Sequence, residues 1–178
     1  MKKTLFSLAI GIIVSLAAHA QSGNNQIGVG AEAGIPTGKG ASETTKIGIG
    51  GSVKALFGVG SSGQITLTSG YMSFGGKNLP DGYKATLTVI PVLAGYRQNF
   101  GGFYVEPQAG VGFLKQKESY QGENGAEKAT KLTWAVGAGY VINKNIDLGA
   151  RYQRSEFEDG SISLVGIKVA YNIPIGGK

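Results

Sequence analysis

The chain contains no cysteine, so neither a disulfide nor a thiolate metal site is open to it. Its one histidine, His19, lies in a segment read below as a removable leader. What remains has no imidazole for metal binding or for general-base catalysis near neutral pH. No stretch after the leader is apolar enough for a membrane-spanning helix. The formal charge is +6, falling to +4 without Lys2 and Lys3, and no run of clustered Lys and Arg marks a nucleic-acid binder. Catalytic signatures are missing too. There is no G-x-S-x-G elbow, Asp81, Asp147 and Asp159 are scattered rather than spaced as a calcium loop, and Glu156 and Glu158 read as solvated loop carboxylates. Two glycine motifs also fail. Gly28-x-Gly30-x-x-Ala33 has no helix after it, and Gly38-Lys39-Gly40 lacks the leading glycine and the Ser/Thr of a phosphate loop. The expectation is a protein without cofactor, metal or catalytic residues.

The first twenty residues read as an export signal. Lys2 and Lys3 give a positive start, Leu5 to Leu16 an apolar core, and Ala18-His19-Ala20 a small-x-small cleavage site. The apolar run is shorter than the roughly 20 residues a spanning helix needs, which disfavours a retained helix. The expected division is a signal peptide over 1–20 and one domain over 21–178.

Within that domain, eight stretches place an apolar residue at every second position. They are β1 at Gln26–Pro36, β2 at Lys46–Gly60, β3 at Gly63–Phe74, β4 at Tyr83–Asn99, β5 at Gly102–Leu114, β6 at Thr130–Ile142, β7 at Asn145–Arg154 and β8 at Ser161–Ile173. Each reaches the roughly 9–11 residues of a tilted membrane-spanning strand. Short turns (Gly60–Gly63, Asn99–Gly102, Asn143–Asn145) alternate with longer polar loops (Thr37–Thr45, Gly75–Gly82, Lys115–Ala129, Ser155–Gly160). That alternation is the asymmetry of an outer-membrane barrel, with short turns on the periplasmic side. The fold expected is all-β: an eight-stranded antiparallel up-and-down transmembrane barrel.

Parity separates two faces. β5 sends Phe103, Val105, Pro107, Ala109, Val111 and Phe113 outward, and Tyr104, Glu106, Gln108, Gly110 and Gly112 inward. Outward aromatics gather near segment ends: Tyr71, Tyr83, Phe113, Trp134 and Tyr152 on the loop side, Phe57, Phe103, Tyr140 and Tyr171 on the turn side. A soluble sandwich would keep its aromatics at strand centres, whereas two end rings are the girdles of a membrane barrel. β4 is irregular, because Leu87 and Val89 have the opposite parity to Val92, Ala94 and Tyr96. A bulge at Pro91, which cannot donate to the ladder, would turn both sets outward and Arg97 inward.

The inward face carries Glu32, Lys54, Arg97, Glu106, Gln108, Asp147, Arg151 and Lys168. A barrel of about eight strands has an interior filled by side chains, and charges buried there have to pair. Hairpin spacing suggests Glu32 with Lys54 and Asp147 with Lys168, with inward glycines making room. A structural polar network is favoured over an ion pathway or proton relay.

With these features the chain resembles the small eight-stranded outer-membrane barrels of Gram-negative bacteria, the OmpA transmembrane domain and OmpX type. Ile90-Pro91-Val92-Leu93-Ala94-Gly95-Tyr96-Arg97 and Gly166-Ile167-Lys168-Val169-Ala170-Tyr171 are similar to the outer membrane beta-barrel proteins of Bacteroidota. Such barrels usually end in an aromatic residue, whereas Ile173-Pro174-Ile175 follows Tyr171 here. The resemblance implies an integral outer-membrane location, contact with outer-membrane lipid and lipopolysaccharide, and insertion by the barrel-assembly machinery.

The leading expectation is a non-enzymatic barrel with a filled lumen, acting through its outer loops, chiefly Lys115–Ala129, on an unidentified extracellular ligand, in surface contact, adhesion or envelope stabilisation. A narrow channel with Glu32, Lys54, Glu106 and Arg151 as selectivity groups is the alternative. A soluble lipocalin-like carrier would need an apolar cavity where the polar lumen is placed. A lipid-modifying barrel enzyme would lack its usual histidine base.

Overall fold

Alternating apolar residues make each segment a strand with two unlike faces, and a sheet of such strands can bury only one of them. Closure solves this by giving the sheet an inside. In the computed structural model, which describes residues 24–38, 41–80, 82–120, 123–158 and 160–175, eight antiparallel strands form a closed barrel in sequence order. They are β1 (Gln26–Thr37), β2 (Gly48–Val59), β3 (Gly63–Gly75), β4 (Tyr83–Phe100), β5 (Phe103–Tyr120), β6 (Glu123–Ile142), β7 (Ile146–Phe157) and β8 (Gly160–Pro174). β1 closes the ring on β8, with Gln26 opposite Pro174 and Thr37 opposite Ser163. Residues 1–20, read as the export signal, lie outside the described residues.

One rim is made of tight turns whose residues fit their backbone. Gly101 and Gly102 both have positive φ (65° and 104°) and join the facing pair Phe100 and Phe103. Two positive-φ residues in a row make the hairpin turn whose twist matches that of the strands it joins. Asn143 and Lys144 do the same between β6 and β7, at φ 49° and 64°. The other rim carries the longer connections. A four-residue helix, α1 (Ala41–Thr44), sits between β1 and β2, and Thr45 bridges to Gly76.

Two expected loops are shorter than the sequence suggested. β5 and β6 continue pairing as far as Tyr120 opposite Glu123, so Lys115–Ala129 is mostly a protruding two-stranded ribbon. Likewise β7 and β8 pair up to Phe157 opposite Gly160, which takes most of Ser155–Gly160 into strands. In both, polarity marked where the strands leave the membrane, and the hydrogen-bonded ladder runs on beyond that level.

The expected bulge at Pro91 is absent. Ser69 faces Val92 on one side of it and Met72 faces Val89 on the other, so no residue is inserted, and the β5 side is equally continuous from Gly95–Gln108 to Val89–Leu114. Only the rungs opposite Gly70 and Tyr71 drop out, as expected where proline lacks its N–H. Unbroken parity places Leu87, Val89, Pro91 and Leu93 on the same inward face as Arg97. Tyr83 follows that parity and also faces inward, where its hydroxyl donates to Glu118, so it does not belong to the outer ring.

The barrel therefore has an interior in two layers. At the loop-side end Met72, Phe74, Val89, Leu114 and Leu164 pack together as an apolar cluster, backed by Leu87, Ile162 and Phe157. Room for the Phe74 ring comes from Gly34 and Gly48, where an added Cβ would lie 3.1 Å and 2.4 Å from ring carbons. Below it, towards the turns, the lining is polar and charged. An inside that is polar throughout was the expectation, and the apolar layer corrects it.

Candidate functional site

The polar layer is built by one to three inward residues from each of seven strands, which places their ends within reach of each other across the lumen. Glu106 on β5 is its hub. Both carboxylate oxygens accept from Lys54 Nζ at 2.7 Å, and Oε2 also accepts from Arg97 Nε (3.0 Å) and Nη2 (2.9 Å). Oε1 accepts further from Thr66 Oγ1 at 2.8 Å and Gln108 Nε2 at 2.9 Å. Arg97 then spans to a second carboxylate, donating from Nη2 to Asp147 Oδ2 at 3.0 Å. Asp147 also accepts from Lys168 Nζ at 3.0 Å and from the Tyr104 hydroxyl at 2.6 Å. The Arg97 guanidinium lies 3.7 Å over the Tyr104 ring centroid, a cation–π contact in a desolvated place. A smaller group stands beside this chain: Glu32 accepts from Arg151 Nη2 at 2.9 Å and from Ser52 Oγ at 2.7 Å.

All eight inward residues singled out from the sequence thus lie in the lumen, and Arg97, Glu106 and Asp147 are almost wholly buried. Of the two suggested pairs, Asp147 does meet Lys168. Glu32 does not meet Lys54, because register sets Lys54 opposite Gly28 and Glu32 opposite Gly50, four residues further along. Lys54 reaches across to Glu106 instead, and Glu32 takes Arg151. Sequence reasoning missed Tyr104, Thr66, Thr68 and Ser52 as members of the network. Their inward parity was legible; that the hydroxyls of Tyr104, Thr66 and Ser52 donate to the carboxylates, while that of Thr68 accepts from Gln108 Nε2, depends on cross-barrel distance.

Tyr104 has room only because two glycines face it. A Cβ on Gly149 would lie 2.5 Å from its hydroxyl, and one on Gly139 would lie 2.5 Å from the hydroxyl and 2.3 Å from the Leu148 carbonyl oxygen. Gly139→Ala is expected to lower stability by roughly 1–3 kcal/mol, since backbone lies on one side and a tyrosine hydrogen-bonded to Asp147 on the other. The shift of the urea unfolding midpoint of the refolded barrel checks this. An unchanged midpoint would mean that the Tyr104–Asp147 contact is loose.

Little space is left inside. A void of about 20 Å³ lies among Glu32, Lys54, Tyr104, Glu106, Arg151 and Lys168, room for about one water. The lumen opens into larger cavities at its two mouths, about 500 Å³ on the turn side and about 410 Å³ on the loop side. In the loop-side mouth the Tyr83–Glu118 hydrogen bond holds the Glu118 carboxyl below its usual range and pushes the Tyr83 phenol up.

The outside is the reverse of the inside. Val29, Ile49, Val53, Leu132, Val136, Ile167 and Val169 are exposed around the wall, far more contiguous apolar surface than a water-soluble protein presents. Tyr71, Phe113 and Trp134 stand exposed near the loop side, with the Tyr152 ring tilted against Trp134 at a centroid distance of 5.6 Å, while Phe103, Tyr140 and Tyr171 are exposed and Phe57 half-buried near the turns. Among the described residues no helix is long and apolar enough to cross a membrane; the strands do so.

A closed antiparallel barrel with an apolar wall and a filled interior defines the class: an integral β-barrel of the bacterial outer membrane. The chain belongs to the outer membrane protein beta-barrel domain family, whose model matches residues 6–172. It is similar in fold to Ail, the attachment invasion locus protein of Yersinia pestis, solved in complex with the heparin analogue sucrose octasulfate (17% identity, TM-score 0.66, covering 84% of this chain and 97% of that one). It is also similar to the Neisserial surface protein A (12% identity, TM-score 0.57, 85% and 97% covered) and to the N-terminal barrel domain of Pseudomonas aeruginosa OprF (17%, 0.56, 84% and 99%). At these identities the likeness is one of fold. No curated sequence matches the chain. Family membership overturns the soluble carrier as a reading.

Proposed function

We propose that this protein is a sealed, non-enzymatic barrel that anchors its loop-side elements at the cell surface, for surface contact, adhesion or envelope stabilisation. The observation that carries the reading is the filled interior, in which each of the seven charged side chains of the polar layer (Glu32, Lys54, Arg97, Glu106, Asp147, Arg151 and Lys168) has an ionic partner and an apolar layer lies beyond them. A carboxylate whose two oxygens are already taken up by two cations and two neutral donors has no acceptor site left for a substrate, which argues against catalysis in the lumen. The part with freedom to meet a partner is the outer rim, above all the β5–β6 ribbon that projects past the β7 pairing at Thr133–Ser155. On this reading residues 1–20 direct export and are removed, the barrel-assembly machinery inserts the domain, and the two aromatic rings hold it at headgroup depth.

The test is conductance in a planar bilayer. The refolded barrel is expected to give no stepwise current over a range of voltages and salts. Steady unitary currents whose ion preference changes on Glu106→Gln or Lys54→Gln would establish the channel instead.

A further inference from the structure

The lumen does not balance its own charge. Its polar layer sets Lys54, Arg97, Arg151 and Lys168 against Glu32, Glu106 and Asp147, and the surplus is local. Arg97 is matched by Asp147, whereas the void of about 20 Å³ is lined by the other three cations and the other two carboxylates. A net positive charge enclosed within an apolar wall is costly to bury unless a charge of opposite sign lies beside it. Among the described residues no further carboxylate lines the void, so the protein does not supply that charge.

Two of the cations have donors to spare. Among the described residues, Arg151 donates a single hydrogen bond, to Glu32, and Lys168 a single one, to Asp147, which leaves most of their N–H groups unused. Neither has a nitrogen that is both enclosed and without a partner, the atoms in that state being Thr37 Oγ1, Gln153 Oε1 and Asn172 Nδ2. The unused N–H groups therefore border open space. That space is kept by two glycines. Gly137 and Gly166 stand on either side of Arg151 in the ladder, and both line the void. Beyond its chain neighbours, a Cβ added at Gly137 would come no closer than 3.5 Å to any atom, and one at Gly166 no closer than 3.8 Å. Methyl groups would fit at both, unlike at Gly139 and Gly149, where Tyr104 stands in the way. No side chain takes up that room.

We propose that this void holds one monatomic anion, chloride in a saline medium, bound by N–H groups of Arg151 and Lys168 and enclosed by Gly137 and Gly166. The volume suits a single particle of about the size of a water, which shuts out sulfate, phosphate and carboxylic acids. A water would fill the space equally well but would leave the charge unbalanced. With the anion in place the layer is neutral, its three carboxylates and one halide facing four cations. The site is structural: it couples the stability of the barrel to the halide around it. It asks nothing of the loops, and it fills at equilibrium whether or not ions pass through the lumen.

The experiment is urea unfolding of the refolded barrel in a non-ionic detergent, with chloride replaced stepwise by gluconate at constant ionic strength. Once chloride exceeds its dissociation constant, the apparent folding constant is expected to rise about tenfold for each tenfold rise in chloride, the slope of a single site. Gly137→Ala/Gly166→Ala fills the void without altering any charge, and Lys168→Gln removes the surplus charge without filling the void. Both are expected to lose the slope, whatever their stability without chloride, and Lys144→Gln on the turn-side rim should keep it. A wild-type folding constant that is the same in chloride and in gluconate overturns the proposal. A slope that persists in the alanine double variant does so too, because it marks a general effect of salt. If the variants do not refold, the line width of the chloride NMR signal decides on wild type alone. Broadening that bromide reverses and gluconate does not supports the site; no broadening, or broadening that both reverse alike, rejects it. Conductance plays no part in these readings, so a leaking lumen would count only against the sealed barrel.

Discussion

Glu106→Gln is expected to lower the unfolding free energy of the barrel by about 3–5 kcal/mol, the usual loss when one partner of a buried ionic cluster is removed. The lumen holds three carboxylates (Glu32, Glu106, Asp147) against four cations (Lys54, Arg97, Arg151, Lys168), so it already has one positive charge in excess. Glutamine is nearly isosteric but neutral, and would leave Lys54 without any ion pair while taking one of the two carboxylates from Arg97. The excess would then be two, in a place with room for about one water. Urea titration of the refolded protein in detergent measures the loss. The argument has a sharper form as a cycle: in Glu106→Gln/Lys54→Met both the carboxylate and its stranded cation are gone, and the double variant should be more stable than Glu106→Gln alone. If the two losses simply add, Lys54 and Glu106 are not coupled and the hub has been misassigned. Asp147→Asn should be milder, because Arg97 keeps Glu106 and Tyr104 can still donate to an amide oxygen.

That hub shows what a one-dimensional reading can and cannot see. Parity alone placed Glu106 and Asp147 in the lumen, Arg97 was placed there only by way of the bulge that the structure lacks, and composition alone required the three to pair. The partners themselves depend on the distance across a closed ring, which has no counterpart in sequence spacing; hence Lys54 with Glu106, 52 residues away, and not with Glu32. The β4 strand went wrong for a different reason. An apolar residue at an inward position contradicts a polar lumen, and a bulge at Pro91 removed the contradiction. The simpler account was present in the numbering: Val89, Pro91, Leu93 and Arg97 share one parity, as do Ile90, Val92, Ala94 and Tyr96 on the other side. The inward set is apolar near the loop-side rim because a second layer of packing lies there. The ribbon was taken for a loop because Lys115–Ala129 is polar on both faces, and a ladder standing clear of the membrane has no need of an apolar side.

The apolar layer leads to the other large effect. Phe74 is 2% exposed and packs among Met72, Val89, Leu114 and Leu164, so Phe74→Ala is expected to cost about 3–5 kcal/mol through lost contacts and the void left behind. Gly34 and Gly48 face the ring and have no side chains with which to fill that void, so relaxation around the site is poor. Its consequence for the seal follows from the order of the layers. The apolar cluster lies between the loop-side mouth and the ion pairs, and a narrow apolar constriction blocks ions by excluding water. Removing the ring would let the 410 Å³ mouth extend inward, but Lys54, Arg97, Glu106 and Asp147 would still close the lumen beneath it. Phe74→Ala should therefore be less stable yet electrically silent in a planar bilayer. Combined with Arg97→Ala, which takes away the bridge between Glu106 and Asp147, it should show currents that neither single variant shows. Conductance from Phe74→Ala alone would mean that the apolar layer is the only barrier, and that the ion pairs below it line a path instead of closing one.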